Sequence, residues 1–233
     1  FKHKRFPNRM VKKLKTRFCA HGDQQLEGID FFETYAPVQQ WTTVQLMLIL
    51  EILLQLKLKQ GDVTADFLHS ELGENEKLYV KMPLGFMKQG KVLKLKRTLY
   101  GLHQSSWDFW KYLTKAMVAA GMEVSKLDPY LFVGKMVTAV AFVDDILFWA
   151  TDEAYINELG AKLRLQGLLL EQEDDAAGFL GVRMTRTDEG FLEMKQTGSR
   201  LLHMNRQHAE IVIGIRVVRL GLQDSAVQTF SVL

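Results

Sequence analysis

At 233 residues, with 47% hydrophobic and 24% charged residues, the chain has ordinary globular composition and is long enough for one large or two small domains. A single cysteine, Cys19, excludes an intramolecular disulfide and a cysteine-based zinc site, and it fits a reducing compartment. The longest apolar region, Gln45 to Leu58, is broken by Glu51, Gln55 and Lys57 and is too short and polar to span a bilayer. The basic N-terminus has no long apolar stretch after it, unlike a secretory signal, and the missing initiator Met suggests a piece of a longer reading frame. The net charge of +3 is spread unevenly. Basic residues run from Lys2 to Arg17 before the first acid, Asp23, and recur at Lys88, Lys91, Lys94, Lys96 and Arg97. Glu171, Glu173, Asp174 and Asp175 form an acidic patch. Such basic clusters are either solvated faces or surfaces that attract phosphates.

Residues 1–24 read as strands of a small basic lobe, followed by an aromatic-rich loop from Gly28 to Pro37. Thr42 and Thr43 can cap a helix reaching about Leu56. Lys59 to Leu68 reads as a strand turning near Asp62, and Leu78–Met82 and Val92–Leu95 as short strands. Ser105 or Ser106 can cap a helix carrying Phe109, Leu113, Ala116, Met117 and Ala120, which Gly121 ends. A hairpin with Asp144-Asp145 at its tip follows. Asp152 then caps a helix with Ile156, Leu159 and Leu163 on one face. Phe179–Thr185 and Gly190–Lys195 form a last hairpin. This alternation predicts an α+β fold, an antiparallel sheet with helices on one face.

The chemistry centres on Asp144 and Asp145, inside the apolar run from Ala139 to Trp149. A buried unpaired charge is very costly, and neighbouring carboxylates repel. A hard cation between them offsets both effects, and oxygen-only ligands suit Mg²⁺. The competing reading is a surface hairpin whose turn happens to be Asp-Asp. Asp62 supplies a second acidic site at the end of a strand-like segment. One carboxylate from a strand and two from a neighbouring hairpin can cage two Mg²⁺ ions about 4 Å apart, the arrangement that performs in-line phosphoryl displacement.

Several strings resemble, in order, the reverse transcriptase domain of copia-type long-terminal-repeat retrotransposons, from about Lys15 to Gln196. They are Lys15-Thr16-Arg17-Phe18-Cys19-Ala20-His21-Gly22, Gly28-Ile29-Asp30 through Glu33-Thr34-Tyr35-Ala36-Pro37-Val38, and Asp62 to Phe67. Tyr79 to Phe86, Leu99-Tyr100-Gly101-Leu102-His103-Gln104 and Asp128-Pro129-Tyr130-Leu131-Phe132 follow, then Phe142-Val143-Asp144-Asp145 and Phe179-Leu180-Gly181-Val182. The resemblance implies a right-hand polymerase core, with fingers at 1–58 and 75–105, a palm at 59–74 and 106–195, and a divergent tail or partial thumb at 196–233. It implies that Asp62 and Asp144 hold two Mg²⁺ ions, with Mn²⁺ able to substitute. Asp145 would assist, and the Val63 carbonyl would complete one shell. Lys15 and Arg17 would grip the incoming triphosphate, Phe67 would exclude a ribose 2′-OH, and Gln104 would pack against nucleotide or template. The implied partners are primer–template RNA or DNA and deoxynucleoside triphosphates, with no membrane. The implied location is intracellular, in the cytoplasm, a virus-like particle or the nucleus.

The chain departs from that pattern. His21 stands for a basic residue, Gln45 for an arginine, and Ser106-Trp107-Asp108-Phe109 for a stretch that carries an arginine. Ala65-Asp66 adds a carboxylate before the gate aromatic. Each change removes positive charge or adds negative charge where phosphates should lie. The expected function is RNA-directed DNA polymerisation. The alternative is an inactive retroelement remnant that at most binds nucleic acid, and a two-metal nuclease is a third reading that the gate aromatic disfavours.

Overall fold

The computed structural model describes residues 2–5, 10–15, 18–64, 66–72, 76–83, 85–173, 182–186, 192–196 and 213–215. The chain opens with β1 (Lys2–Arg5), β2 (Val11–Lys15), α1 (Trp41–Leu54) and β3 (Lys57–Val63). Then come β4 (Tyr79–Val80), β5 (Leu93–Lys94), α2 (Ser105–Ala119), β6 (Glu123–Val124) and β7 (Leu131–Val133). The hairpin β8 (Val137–Phe142) and β9 (Asp145–Ala150) leads into α3 (Glu153–Leu165). The last strands are β10 (Leu170–Glu173), β11 (Val182–Arg186), β12 (Leu192–Gln196) and β13 (Ile213–Ile215). Helices and antiparallel strands mix as expected of an α+β fold.

Two compact units divide the chain, one of residues 1–37 and 65–116 and one of 38–64 and 117–233. This boundary differs from the expected split. By its packing, α1 joins the unit of β3 and the Asp-Asp hairpin rather than the N-terminal segment.

In the first unit β1 and β2 form an antiparallel hairpin, as do β4 and β5. Leu78, Leu99 and Leu102 make a small core with Ala20, Leu72 and Leu95 packed against it. The segment around Ala20 lies on the Tyr100–Gly101 turn, where the Ala20 N–H donates to the Tyr100 carbonyl at 2.7 Å. Gly101, at φ +89°, sits so close that a Cβ there would overlap the Ala20 carbonyl. Ser105 is the first residue of α2, and its hydroxyl donates to the Leu99 carbonyl rather than capping the helix.

The second unit is built on a six-stranded antiparallel sheet in the order β10-β3-β9-β8-β7-β6. The strands β6, β7 and β10 were not expected, because each is too short to show a period of two. β3 begins two residues before Lys59 and ends at Val63, beside the expected turn near Asp62, and the rest of the segment contains a 3₁₀ turn at Asp66–His69. The expectation of helices on one face is also corrected. Every residue of β9 from Ile146 to Ala150 is buried, which requires cover on both faces. On one face Leu147, Trp149 and Val140 pack against Val44, Met47 and Leu48 of α1. On the other face Lys59 reaches Glu153 at the start of α3, with Nζ to Oε2 at 3.0 Å. Asp152 caps α3 as expected, its carboxylate accepting from the Ala154 N–H at 2.8 Å. α1 starts at Trp41 with Gln40 as its N-cap, two residues before the first of the predicted caps, and the Gln40 side chain makes no capping bond. It ends on Gln55, which takes the left-handed conformation usual for glycine. The backbones of β11, β12 and β13 form a separate antiparallel sheet. The expected hairpin turn at Thr187–Gly190 lies outside the described residues.

Candidate active site

The Asp-Asp hairpin closes through a two-residue turn, because Phe142 and Asp145 are the last paired residues of β8 and β9. Two-residue hairpin turns need a positive φ. Here Val143 provides it, at φ +52°. A β-branched residue in that region is strained by about 1–3 kcal/mol, and such strain gathers at functional sites. Asp144 is the second turn residue and Asp145 opens β9.

The neighbouring strand brings Asp62 to the hairpin. Asp62 pairs directly with Asp145 across β3 and β9, so both side chains leave the same face of the sheet. The Val63 N–H donates to the Asp144 carbonyl at 2.7 Å, which ties the turn to the end of β3. On the other side of β3, Glu171 of β10 is also the direct partner of Asp62. Gln60, two residues before Asp62 and on the same face, donates from Nε2 to Asp145 Oδ1 at 3.1 Å. Asp62 is exposed, Asp144 and Asp145 are half-buried, and Val63 is buried. Among the described residues no three His, Cys, Asp or Glu side chains are grouped tightly enough to hold a metal ion. The donors are nevertheless all oxygens, as a hard cation requires. The buried Gln60 Oε1 has no hydrogen-bond partner. By donor chemistry the residues fit Mg²⁺.

The other expected site residues lie in the first unit. Lys15 ends β2, its backbone opposite Lys2, and Arg17 lies outside the described residues. Phe67 is half-buried in the Asp66–His69 turn, with its ring edge-on to Tyr100 and Phe109 at centroid distances of 5.1 and 5.8 Å. Its carbonyl accepts from the Thr98 hydroxyl. Gln104 is 0% exposed. Its amide nitrogen donates to the Asp30 carbonyl at 3.2 Å and to Glu76 Oε2 at 3.3 Å, and its oxygen accepts from Gln25 Nε2 at 3.1 Å. The Gln104 side chain therefore binds the loop that carries Asp30. As placed, it offers no open surface to the nucleotide or template expected of it.

A profile of the reverse transcriptase (RNA-dependent DNA polymerase) family matches residues 1–202. The chain belongs to that family. It is 29% identical over 194 residues to the Retrovirus-related Pol polyprotein from transposon TNT 1-94 of Nicotiana tabacum, covering 80% of this chain and 14% of the relative. It is 29% identical over 187 residues to the corresponding polyprotein from transposon RE1 of Arabidopsis thaliana, covering 77% of this chain and 13% of the relative. A Transposon Ty1-GR3 Gag-Pol polyprotein of Saccharomyces cerevisiae is 30% identical over 158 residues, 65% of this chain and 9% of the relative. The chain thus spans about a seventh or less of the length of these relatives. The resemblance to copia-type retrotransposon reverse transcriptases, drawn from the ordered strings, stands.

Within this family member the departures from the expected pattern take definite positions. His21 Nδ1 lies 3.4 Å from Asp23 Oδ1 on an exposed surface. Trp107 stacks on Trp110 at 4.9 Å, with Lys111 Nζ 5.4 Å from its ring centroid. The neighbouring Asp108 is buried, 2.8 Å from Lys111 Nζ. Burial pushes its carboxyl above the usual range and Glu76 adds to this, while the hydrogen bond and charge of Lys111 pull it back. Gln45 is half-buried in α1, and the Asp66 side chain lies outside the described residues.

One residue of the ordered strings had no role assigned from the sequence. Asp128 is 1% exposed. Its Oδ2 accepts from the Gln40 N–H at 3.1 Å and the Thr43 hydroxyl at 2.6 Å, and its Oδ1 accepts from the Tyr130 N–H at 2.9 Å. It supplies from a distant loop the cap that α1 lacks. A buried aspartate in an Asp-Pro string was the available signal, but its two partners on α1 lie more than eighty positions away in sequence.

Proposed function

We propose that this chain is the fingers-and-palm portion of a retrotransposon RNA-directed DNA polymerase, which adds deoxynucleotides to a primer 3′-OH on an RNA or DNA template. The observation that carries the reading is the register pairing Asp62 with Asp145, with Asp144 in the turn tied to Val63. Asp62, Asp144 and Asp145, with the Val63 carbonyl, would hold two Mg²⁺ ions. When bound, these ions supply activation of the primer hydroxyl and neutralisation of the leaving pyrophosphate. The protein residues provide the rest. The strained turn and the Val63–Asp144 bond hold the carboxylates at one sheet end. Lys15 and Arg17 attract the triphosphate, Arg17 through a bidentate contact. Phe67, braced by Tyr100 and Phe109, excludes a 2′-OH. Gln104 acts by positioning the Asp30 loop. The basic segments track the primer–template backbone, so binding falls with salt. No helix among the described residues is long and apolar enough to cross a membrane.

A specific observation favours the second reading, an inactive remnant. His21 faces an acid, and Trp107 is stacked within its own helix, where phosphate-binding cations were expected. Each lost charge-assisted phosphate contact weakens binding by about 1.5–3 kcal/mol, so two losses lower nucleotide affinity by roughly a hundredfold or more. We therefore expect very low activity from the isolated chain. The deciding experiment is primer extension on an RNA template with Mg²⁺, comparing the chain with its Asp144→Asn form. Robust extension at physiological salt that Asp144→Asn abolishes establishes the enzyme and overturns the remnant. Salt-sensitive binding of primer–template with no extension by either form establishes the remnant.

A further inference from the structure

We infer that the β4–β5 hairpin of the first unit is a binding site for single-stranded nucleic acid, in which unpaired bases stack on Phe86 and Tyr79 while neighbouring lysines hold the phosphates; the choice of nucleic acid among polyanions rests on reading this chain as a templated polymerase. The segment from Lys77 to Arg97 carries six lysines and one arginine and no acidic residue. All six lysines are exposed, so the stretch is complementary to a chain of phosphates. The base of the hairpin is anchored in the small core of this unit. Leu78 is buried there, Leu95 packs against it, and the Leu95 N–H donates to the Leu78 carbonyl at 2.9 Å. Between the strands two turns hold the loop. The Phe86 N–H donates to the Pro83 carbonyl at 3.0 Å, and the Lys91 N–H to the Lys88 carbonyl at 3.1 Å. Gly85 and Gly90, at φ +89° and +70°, take the third position of each turn, where any other residue would be strained.

What this loop presents to water is apolar. Phe86 is 75% exposed and Met87 70%, with Tyr79 and Val92 at 57%. Solvation explains exposed lysines, but not large apolar side chains held in water beside them. Neither Phe86 nor Tyr79 stacks on another aromatic ring among the described residues. Tyr79 is the direct partner of Lys94, so ring and ammonium share a face of the hairpin. Lys88 stands beside Phe86 and Met87 at the tip. A ring next to a cation matches one nucleotide of an unpaired strand, with the base on the ring and the phosphate on the cation. Every base has a π-face, so such a site is tolerant of sequence. A duplex keeps its bases inside and can use the lysines alone. An acidic polypeptide would satisfy the lysines and leave the rings unused. A second copy of this chain would cover the apolar tip but bring like charge against like.

The test is binding of the full chain to a short labelled single-stranded RNA of mixed sequence, in EDTA and without nucleotide, read by fluorescence anisotropy over a range of salt. Phe86→Ala is expected to weaken binding about fivefold or more while leaving the slope of log affinity against log salt unchanged. The double change Lys88→Ala and Lys91→Ala is expected to reduce that slope by about 1.4. These side chains are exposed, so both variants should melt with the parent. Phe86→Trp should retain the affinity, and Phe86→Leu, which is apolar but has no stacking face, should not. A blunt duplex of the same length should bind with no dependence on Phe86. Unchanged RNA affinity in Phe86→Ala overturns the inference, as does an equal loss on the duplex. Polyglutamate that binds as tightly as the RNA, with the same dependence on Phe86, assigns the hairpin to an acidic polypeptide and overturns it too. So does a parent dimer that Phe86→Ala dissociates in sedimentation without changing RNA affinity. If RNA binding depends on Phe86 but primer extension is absent, the hairpin site stands and the polymerase reading falls. If extension depends on Asp144 and Phe86→Ala leaves RNA affinity unchanged, only the hairpin site falls.

Discussion

Removing the Asp128 carboxylate should loosen the start of α1, the helix packed on the sheet face that carries Asp62 and Asp145. In Asp128→Ala the Tyr130 N–H, inside a buried residue, loses its acceptor, which costs about 1–3 kcal/mol. The Gln40 N–H and the Thr43 hydroxyl lose theirs at a helix end that has no other side-chain cap, a loss of about 0.5–2 kcal/mol because water can replace part of it. The expected sum is about 3 kcal/mol, or a fall in melting temperature of roughly 6–12 °C for a chain of this size. Asp128→Asn keeps the shape but turns an amide N–H₂ toward donors, and should lose about 1–2 kcal/mol. Thr43→Val removes the 2.6 Å bond alone and should lose about 1 kcal/mol. The two should be non-additive, since they share that bond. Urea unfolding followed by circular dichroism measures these changes, and hydrogen exchange should show lost protection in the first turn of α1. An Asp128→Ala protein that loses less than about 0.5 kcal/mol, with α1 protection unchanged, would refute the clamp.

Tyr130 is buried beside Asp128, and burial first, then that carboxylate, push its phenol up to about 12. A raised folded value means stability is full below the unfolded value near 10 and is lost as pH rises toward 12, by about 2–3 kcal/mol. Tyr130→Phe should abolish that alkaline loss in a series of melts, and an unchanged profile would assign it elsewhere. Gly101→Ala should destabilise by roughly 2 kcal/mol or more, because the methyl meets the Ala20 carbonyl at a positive φ. A melting temperature within a degree of the parent would show that the turn yields. Phe67→Ala should lose about 2–3 kcal/mol through its half-buried edge contacts and narrow the preference for dATP over ATP in binding. Stability loss with unchanged sugar preference would leave the ring a packing residue.

What the sequence by itself determined was local or textual. Asp152 caps α3 and Gly121 follows the end of α2, because caps and helix ends are set by residues within one turn. The hairpin was legible from an apolar run interrupted by two charges, although its turn is Val143-Asp144 and Asp145 already opens β9, and the ordered strings named the family from the sequence alone. Non-local pairing was not legible. The opposition of Asp62 to Asp145, and of Glu171 to Asp62, depends on register, which is decided by how whole strands bury their faces rather than by the residues around each acid. Gln104 read as a nucleotide contact from its string, yet partners from Gln25 to Glu76 occupy its amide. Asp128 carried no signal of its task, because the helix it caps begins far upstream. The cover on both faces of β9 likewise emerged only when α1 and α3 were placed, since an apolar strand of that length reads the same whether one helix or two bury it.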